Sequence, residues 1–131
     1  MKSFEVFSKG FNSDIDITEN IQKLLKGISG SGIMKVFSPG STNALVIMRY
    51  EQGVIEDFKD TLESITSSSN SYKHQLTTND SNGFAHMYSM LVGNYVLLPY
   101  KDNELLISDK HRIVLFDFDL METNRTVLVD F

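Results

Sequence analysis

Polar and apolar positions set out most of the secondary structure. Phe4 and Val6 alternate with Glu5 and Phe7, which predicts a strand over Lys2 to Phe7, broken at Gly10-Phe11-Asn12-Ser13-Asp14. Ile21, Leu24, Leu25 and Ile28 then fall at i, i+3, i+4 and i+7, one face of a short helix. Its start is either a Thr18 N-cap or an Asp16/Glu19 capping-box variant, and Gly27 and Gly30-Ser31-Gly32 end it. Ile33 to Phe37 and Asn43 to Tyr50 read as strands joined at Pro39-Gly40. The second is almost wholly apolar, so it is expected to be central and buried on both faces. Val54, Phe58, Leu62 and Ile65 recur at helical spacing, with Glu56, Lys59, Asp60 and Glu63 on the other faces. After a polar segment, Ala85 to Leu91 predicts a short helix closed by Gly93. Asn94 to Tyr100, a Lys101-Asp102-Asn103 turn, Glu104 to Ile107, Arg112 to Asp119 and Thr126 to Phe131 read as strands, with Glu122 to Arg125 turning the chain.

Two main helices and one short helix among mostly antiparallel strands give an α+β fold, a sheet or sandwich in one domain spanning residues 1–131. Lys and Arg are scattered and the net charge is −5, so no nucleic-acid footprint is expected. No apolar run reaches membrane-spanning length, so no membrane partner is expected. The chain has no cysteine, and Met1-Lys2-Ser3-Phe4-Glu5 offers no apolar leader. A cytoplasmic protein is the expectation.

Candidate chemistry gathers in Tyr72 to His86, which holds two of the three histidines. Asn79 to Gly83 is turn chemistry, with Asp80 or Asn82 as N-cap of the helix after it. His86 then sits in the first helical turn, and His74 on extended chain leading in. A loop of this kind can bring His74, Asp80 and His86 together, which makes them candidate catalytic residues. His74 and His86 are candidate divalent-metal ligands, and Asp80 a third ligand or the group that orients them. The spacing is neither HExxH nor a zinc finger, and two histidines on a Ser/Asn-rich loop also fit a solvated surface. Backbone amides around Asn82 and Gly83 can meet a phosphate, and Ser41 and Thr42 can donate hydroxyls to the same anion. Asp117 and Asp119 share a strand face that reads as solvated, and His111 reads as surface, so none of these enters the expected site.

Tyr72-x-His74, Asn79-Asp80-x-Asn82-Gly83-x-Ala85-His86, Leu91-x-Gly93 and Leu98-Pro99 together resemble the YjbQ-like family, also called the secondary thiamine-phosphate synthase family. Asp16-Ile17-Thr18-Glu19, Gly53-Val54-Ile55-Glu56-Asp57, Arg112-Ile113 and Phe118-Asp119 support the match. The resemblance implies an α+β domain that assembles as a homotrimer, with polar clefts where subunits meet. It also implies a thiamine-phosphate synthase-type activity on a phosphorylated small molecule, with histidines forming a metal or phosphate site. Two departures stand out. The histidine of the family's H-T-T is replaced in Gly40-Ser41-Thr42, and the glutamate of its N-E by Arg49. Arginine only donates and stays charged, so Arg49 can bind phosphate or pair with Asp57 or Glu51, but cannot hold a metal. Both changes favour phosphate or sulfate over a divalent metal. The alternative is a non-catalytic trimeric relative that keeps the fold and binds an anion.

Overall fold

The strand His111–Asp117 carries apolar side chains on both faces, so it must be covered twice. The computed structural model describes Met1 to Phe131 and meets this demand with three layers. In chain order the elements are β1 (Lys2–Ser8), β2 (Ser13–Asp16), α1 (Thr18–Leu24), β3 (Ser31–Phe37), β4 (Asn43–Arg49) and α2 (Gln52–Ile65). There follow α3 (Lys73–Thr78), α4 (Gly83–Val92), β5 (Tyr95–Lys101), β6 (Glu104–Leu105), β7 (His111–Asp117) and β8 (Thr123–Asp130). One sheet runs β1-β8-β3-β5-β6 and the other β2-β7-β4, and every strand pairing is antiparallel. Ile113 and Leu115 of β7 and Leu45 of β4 pack against Met34, Val36, Leu98, Val127 and Val129 of the larger sheet, with Ile17, Ile21 and Leu25 closing the end. On the opposite face, Val114 and Phe116 of β7 and Ala44 and Met48 of β4 pack against Ile55 and Leu62 of α2 and Phe84 and Tyr88 of α4. The fold is therefore the expected α+β sandwich, with its two longer, apolar-faced helices on one side.

Several local expectations give way to tertiary context. The apolar strand β4 is buried on both faces but is an edge; β7 is the central strand. Ser13–Asp16 is a strand because it completes the free edge of β7, from Ser13 opposite Asp117 to Asp16 opposite Val114. β8 starts at Thr123, not Thr126, because β1 supplies partners along its whole length, down to Ser8 opposite Thr123. His74 lies on a helix rather than on extended chain. The Asp102-Asn103 turn has φ of 46° and 72°, the left-handed pair of a tight hairpin, and the strand after it is shorter than expected, ending at Leu105.

Polar pins fix the helices. Glu51 accepts from Val54 N and Gly53 N at 2.9 and 3.2 Å and so caps α2. Neither expected cap of α1 forms: Thr18 is its first residue, and Ile17 stands at the N-cap position with no side-chain cap bond. The Asp16 carboxylate accepts from the Thr18 N–H and hydroxyl, and also pairs with Arg112 Nε at 2.7 Å. Lys59 of α2 and the Tyr50 hydroxyl both donate to the Asp14 carboxylate, and burial beside that carboxylate pushes the Tyr50 hydroxyl up to about 12. No helix is long and apolar enough to cross a membrane.

Phe116 is fully buried and meets Phe58 edge to face at 5.0 Å. Phe116→Ala is expected to cost about 3–5 kcal/mol in chemical denaturation. Leu76→Ala, at an 84% exposed position, should stay within about 0.5 kcal/mol of the parent.

Candidate functional site

Two short helices bring the histidines together. α3 ends where Asn79 adopts φ 60°, a left-handed stop that Asn tolerates. The chain then turns into α4 at Gly83, which lies against Tyr72. A Cβ on Gly83 would sit 2.7 Å from Tyr72 Cβ, so only glycine permits this approach. The result places the His74 and His86 rings edge to face, with centroids 4.5 Å apart and planes at 70°.

Each imidazole is held through one ring nitrogen. His86 Nδ1 lies 3.1 Å from the Ser41 carbonyl oxygen, which can only accept, so Nδ1 donates and Nε2 is left open. His74 Nε2 lies 3.0 Å from Asn82 Oδ1 and 3.4 Å from Thr78 Oγ1. The buried Asn82 reaches on from His74, and its Nδ2 donates to Asp119 Oδ1 at 3.2 Å. Asp119 Oδ2 accepts from the Thr42 hydroxyl at 3.0 Å, and Thr42 in turn accepts from Arg125 Nη2 at 3.0 Å. Arg125 grips Asp117 through Nη2 at 2.7 Å and Nε at 2.9 Å, and Asp117 is wholly buried. Burial pushes the Asp119 carboxyl up, but the Leu120 N–H, Thr42, Asn82 and the Arg125 charge together outweigh it and hold the group below the usual aspartate range.

The expected site residues therefore divide. His74 and His86 meet, and Ser41 joins them through its carbonyl. Thr42 is next to them but is buried, with its hydroxyl spent between Arg125 and Asp119. Asn82 stands at the N-cap position of α4 yet makes no cap bond, because its amide links His74 to Asp119. Asp80 does not converge. It is exposed, and its one hydrogen bond runs from its backbone N–H to Thr78 Oγ1. Arg49 is not brought to this place within the protomer. It ends β4 opposite His111, six residues from Asn43, which at about 3.3 Å per residue is roughly 20 Å away. Gly40 and Arg49 therefore do not act on one cluster in a single subunit. The Gly40 position is also closed to a simple return of histidine: its φ is +125°, and a Cβ there would lie 3.0 Å from Asn43 Nδ2 and 3.2 Å from Arg125 Nη1.

Asp117, Asp119 and Arg125 belong to the site's frame although their strand face reads as solvated in sequence. The signal lies in the alternation itself. Asp117 and Asp119 continue the face of Ile113 and Leu115, which is a core face, so buried carboxylates there demand a partner.

Nothing in this arrangement supplies a metal's full ligand set. With Asp80 turned away and Asp119 engaged by three donors, two imidazole nitrogens remain, and no group of three or more His, Asp or Glu side chains is placed to hold an ion. Zinc sites take three or four protein ligands, so the residues present do not fit one. Two open cavities flank the pair. One of about 540 Å³ is lined by Gly40, Ser41, His86, Ser89, Asn94 and Tyr95 among others, and one of about 430 Å³ by Tyr72, Lys73, His74, Gly83 and Met87.

Two measurements check this geometry. Gly83→Ala should lower stability by about 1–3 kcal/mol through overpacking against Tyr72, read by denaturant midpoint. Asp119 has a depressed folded pKa, so its contribution is complete above the unfolded value and is lost as pH falls through the folded one. Asp119→Asn should therefore flatten the fall in stability between about pH 5 and pH 2 relative to the parent.

Comparison with known proteins places the whole domain. Residues 2–131 match the model of the family described as UPF0047 protein YjbQ-like. A UPF0047 protein of Archaeoglobus fulgidus is 33% identical over 114 residues, covering 87% of each chain. One from Methanothermobacter thermautotrophicus is 29% identical over 107 residues, 80% of this chain and 73% of that one. Among solved structures, an uncharacterized YjbQ/UPF0047 family protein from Clostridium acetobutylicum superposes with TM-score 0.87 at 22% identity, covering 99% and 98% of the two chains. A protein of unknown function from Sulfolobus solfataricus gives 0.85 at 24% identity, covering 98% and 94%. These last two show the fold, and the full-length family match with the archaeal relatives shows the lineage: the chain belongs to the YjbQ-like UPF0047 family.

Proposed function

We propose that the chain binds a phosphorylated small molecule through its phosphate, in a polar cleft walled by His74, His86 and Ser41. The observation that carries this reading is the imidazole pair 4.5 Å apart, each ring anchored by one nitrogen and open at the other. An imidazole that takes a proton on its open nitrogen becomes a charge-assisted donor to phosphate. Three further features support the anion. Lys73 lines the cavity beside His74. The first turn of α4 has no side-chain cap, since Asn82 is engaged elsewhere, so no side chain answers the positive end of the helix dipole there. The Gly40 position, where a side chain would enter, is bordered by two N–H donors, Asn43 Nδ2 and Arg125 Nη1.

The resemblance extends this to a thiamine-phosphate synthase-type transfer, in which a thiazole-phosphate nitrogen displaces pyrophosphate from a pyrimidine-methyl diphosphate. Here the residues would hold phosphate and meet the charge on the leaving pyrophosphate. One observation favours the non-catalytic alternative: no carboxylate near the pair is free to act as a base, because Asp80 faces solvent and Asp119 is held by three donors.

The assembly belongs to the same proposal. Ile33, Phe37, Tyr95 and Leu97 are 53%, 41%, 63% and 54% exposed on the outer face of the five-stranded sheet, with Phe37 directly opposite Tyr95. Such a contiguous apolar face marks an interaction surface. This surplus apolar surface lies on β3 and β5. Tyr95 also lines the cavity beside His86, so a neighbouring subunit on this face would border the cleft. The trimer number comes from the family resemblance.

Light scattering at micromolar concentration should give three times the 14.8 kDa chain mass; a monomer would sink the assembly. Calorimetric titration with inorganic sulfate and phosphate should show binding. His74→Ala and His86→Ala should each weaken it about tenfold or more, the value of one charged hydrogen bond, while Asp80→Asn leaves it unchanged. Equal binding by all the variants would remove the cleft from consideration. Product formation from the pyrimidine diphosphate and thiazole phosphate then separates the enzyme from the anion-binding relative.

A further inference from the structure

We infer that Asp119 and Asn82 are positioning residues that fix the tautomer of His74, with the proton on Nε2, so that the imidazole pair offers one bare nitrogen from each ring, Nδ1 of His74 and Nε2 of His86. The inference deepens the proposed anion site and rests on that reading only for its use, since the hydrogen-bond directions follow from the chain's own groups.

The directions can be traced from one end. Arg125 has donors only, so Thr42 Oγ1 must accept from Nη2, and its own hydrogen goes to Asp119 Oδ2 at 3.0 Å. Asp119 then receives Thr42 on one oxygen, and on the other the Leu120 N–H at 2.8 Å and Asn82 at 3.2 Å. A carboxylate cannot donate, so the atom of Asn82 facing it is the NH₂ group, and the amide cannot flip without opposing two oxygens. Asn82 Oδ1 is thereby turned to His74 Nε2 at 3.0 Å, and an amide oxygen can only accept. The second neighbour of Nε2 agrees. Thr78 gives its hydroxyl hydrogen to the His74 carbonyl at 2.7 Å and also receives the Asp80 N–H, so toward Nε2 it presents a lone pair. Both contacts of Nε2 are acceptors, and the ring must carry its hydrogen there. The depressed pKa of Asp119 is consistent with a carboxylate that stays ionised and therefore stays an acceptor. His86 takes the opposite tautomer, since Nδ1 faces the Ser41 carbonyl.

The consequence is specific. Asp119 touches neither imidazole, yet it decides which nitrogen of His74 is bare. Replacement by asparagine keeps the size but leaves one acceptor where there were two: an introduced amide that keeps its oxygen for the Thr42 hydroxyl turns its NH₂ toward Asn82, gives up the Leu120 N–H bond, and lets the Asn82 amide turn over in that part of the population. His74 Nε2 would then face an NH₂ group, and the proton would move to Nδ1 in part of the population.

The test is long-range ¹H–¹⁵N correlation on histidine-labelled protein in mildly alkaline solution without added anion, where imidazoles are neutral. In the parent, His74 should show a single tautomer with Nδ1 at the unprotonated end of the nitrogen range, and His86 the reverse. In D119N, His74 should become a mixture of tautomers while His86 stays as it was, which a general loosening of the fold would not produce. A parent His74 protonated on Nδ1, or a D119N protein with the His74 signature unchanged, overturns the proposal. Should D119N fail to fold, the parent spectrum alone decides. Sulfate titration of the parent is read separately: no binding with the expected tautomers defeats the anion site and leaves the positioning role intact, and binding with the wrong tautomer does the opposite.

Discussion

β7 carries a carboxylate into the interior at Asp117, and a buried charge left alone would cost several kcal/mol. Arg125 answers it through two hydrogen bonds, with only a short turn between their strands. Because the guanidinium is planar and its donors are fixed, two of them on Asp117 determine where the others point. Nη2 is thereby aimed at Thr42, Thr42 at Asp119, and Asp119 at Asn82. One satisfied ion pair thus sets the order in which separate parts of the chain meet: residues 41–42, 74, 82–86 and 117–125. Removing either partner would leave an uncompensated charge and would also release the arrangement around His74.

The layers explain why this can happen at one end of a strand pair. The smaller sheet is covered on one face by the larger sheet and on the other by α2 and α4. α4 is held over β4 by Phe84, Ala85 and Tyr88, and the Ser89 hydroxyl bonds the Asn43 carbonyl at 2.6 Å. That fixes the N-terminal turn of α4, and with it His86, above the Gly40–Thr42 loop. The packed face of α4 does the positioning, and His86, the one polar residue of its first turn, is left only partly covered beside His74.

Much of this is legible in the residues. The period of α2 and the apolar run of β4 give their types, and the separation of His74 from His86 by a turn-rich segment predicts their approach. Sequence reading fails where local pattern carries no information about cover. Lys73–Thr78 has no apolar period because α3 buries no residue, so nothing marks it as helical. Asp80 groups with the histidines only because it is near in sequence, and the left-handed Asn79 sends the chain outward there. Asp117 and Asp119 look solvated by their charge, whereas the face they share with Ile113 and Leu115 carries them inward. Arg125 looks like part of a turn because its strand depends on β1, more than a hundred residues away.

The two family positions that differ in this chain also take on separate meanings. At Gly40 the place of a side chain is closed off by Asn43 and by Arg125 Nη1, so these two donors stand where the family's histidine would begin. At Arg49 the charge lies at the opposite end of β4, away from the histidine pair of the same protomer. Within one protomer Arg125 is neutralised by Asp117, and the Asp119 carboxylate is held by three neutral donors, the Thr42 hydroxyl, the Asn82 amide and the Leu120 N–H. Lys73, which lines the cavity beside His74, makes no ion pair, so its positive charge stands unmatched there. With the oxygens of Asp117 and Asp119 taken up by donors and Asp80 exposed, no free carboxylate stands beside the imidazoles for a divalent cation, and it is this shortage that turns the proposal above toward an anion.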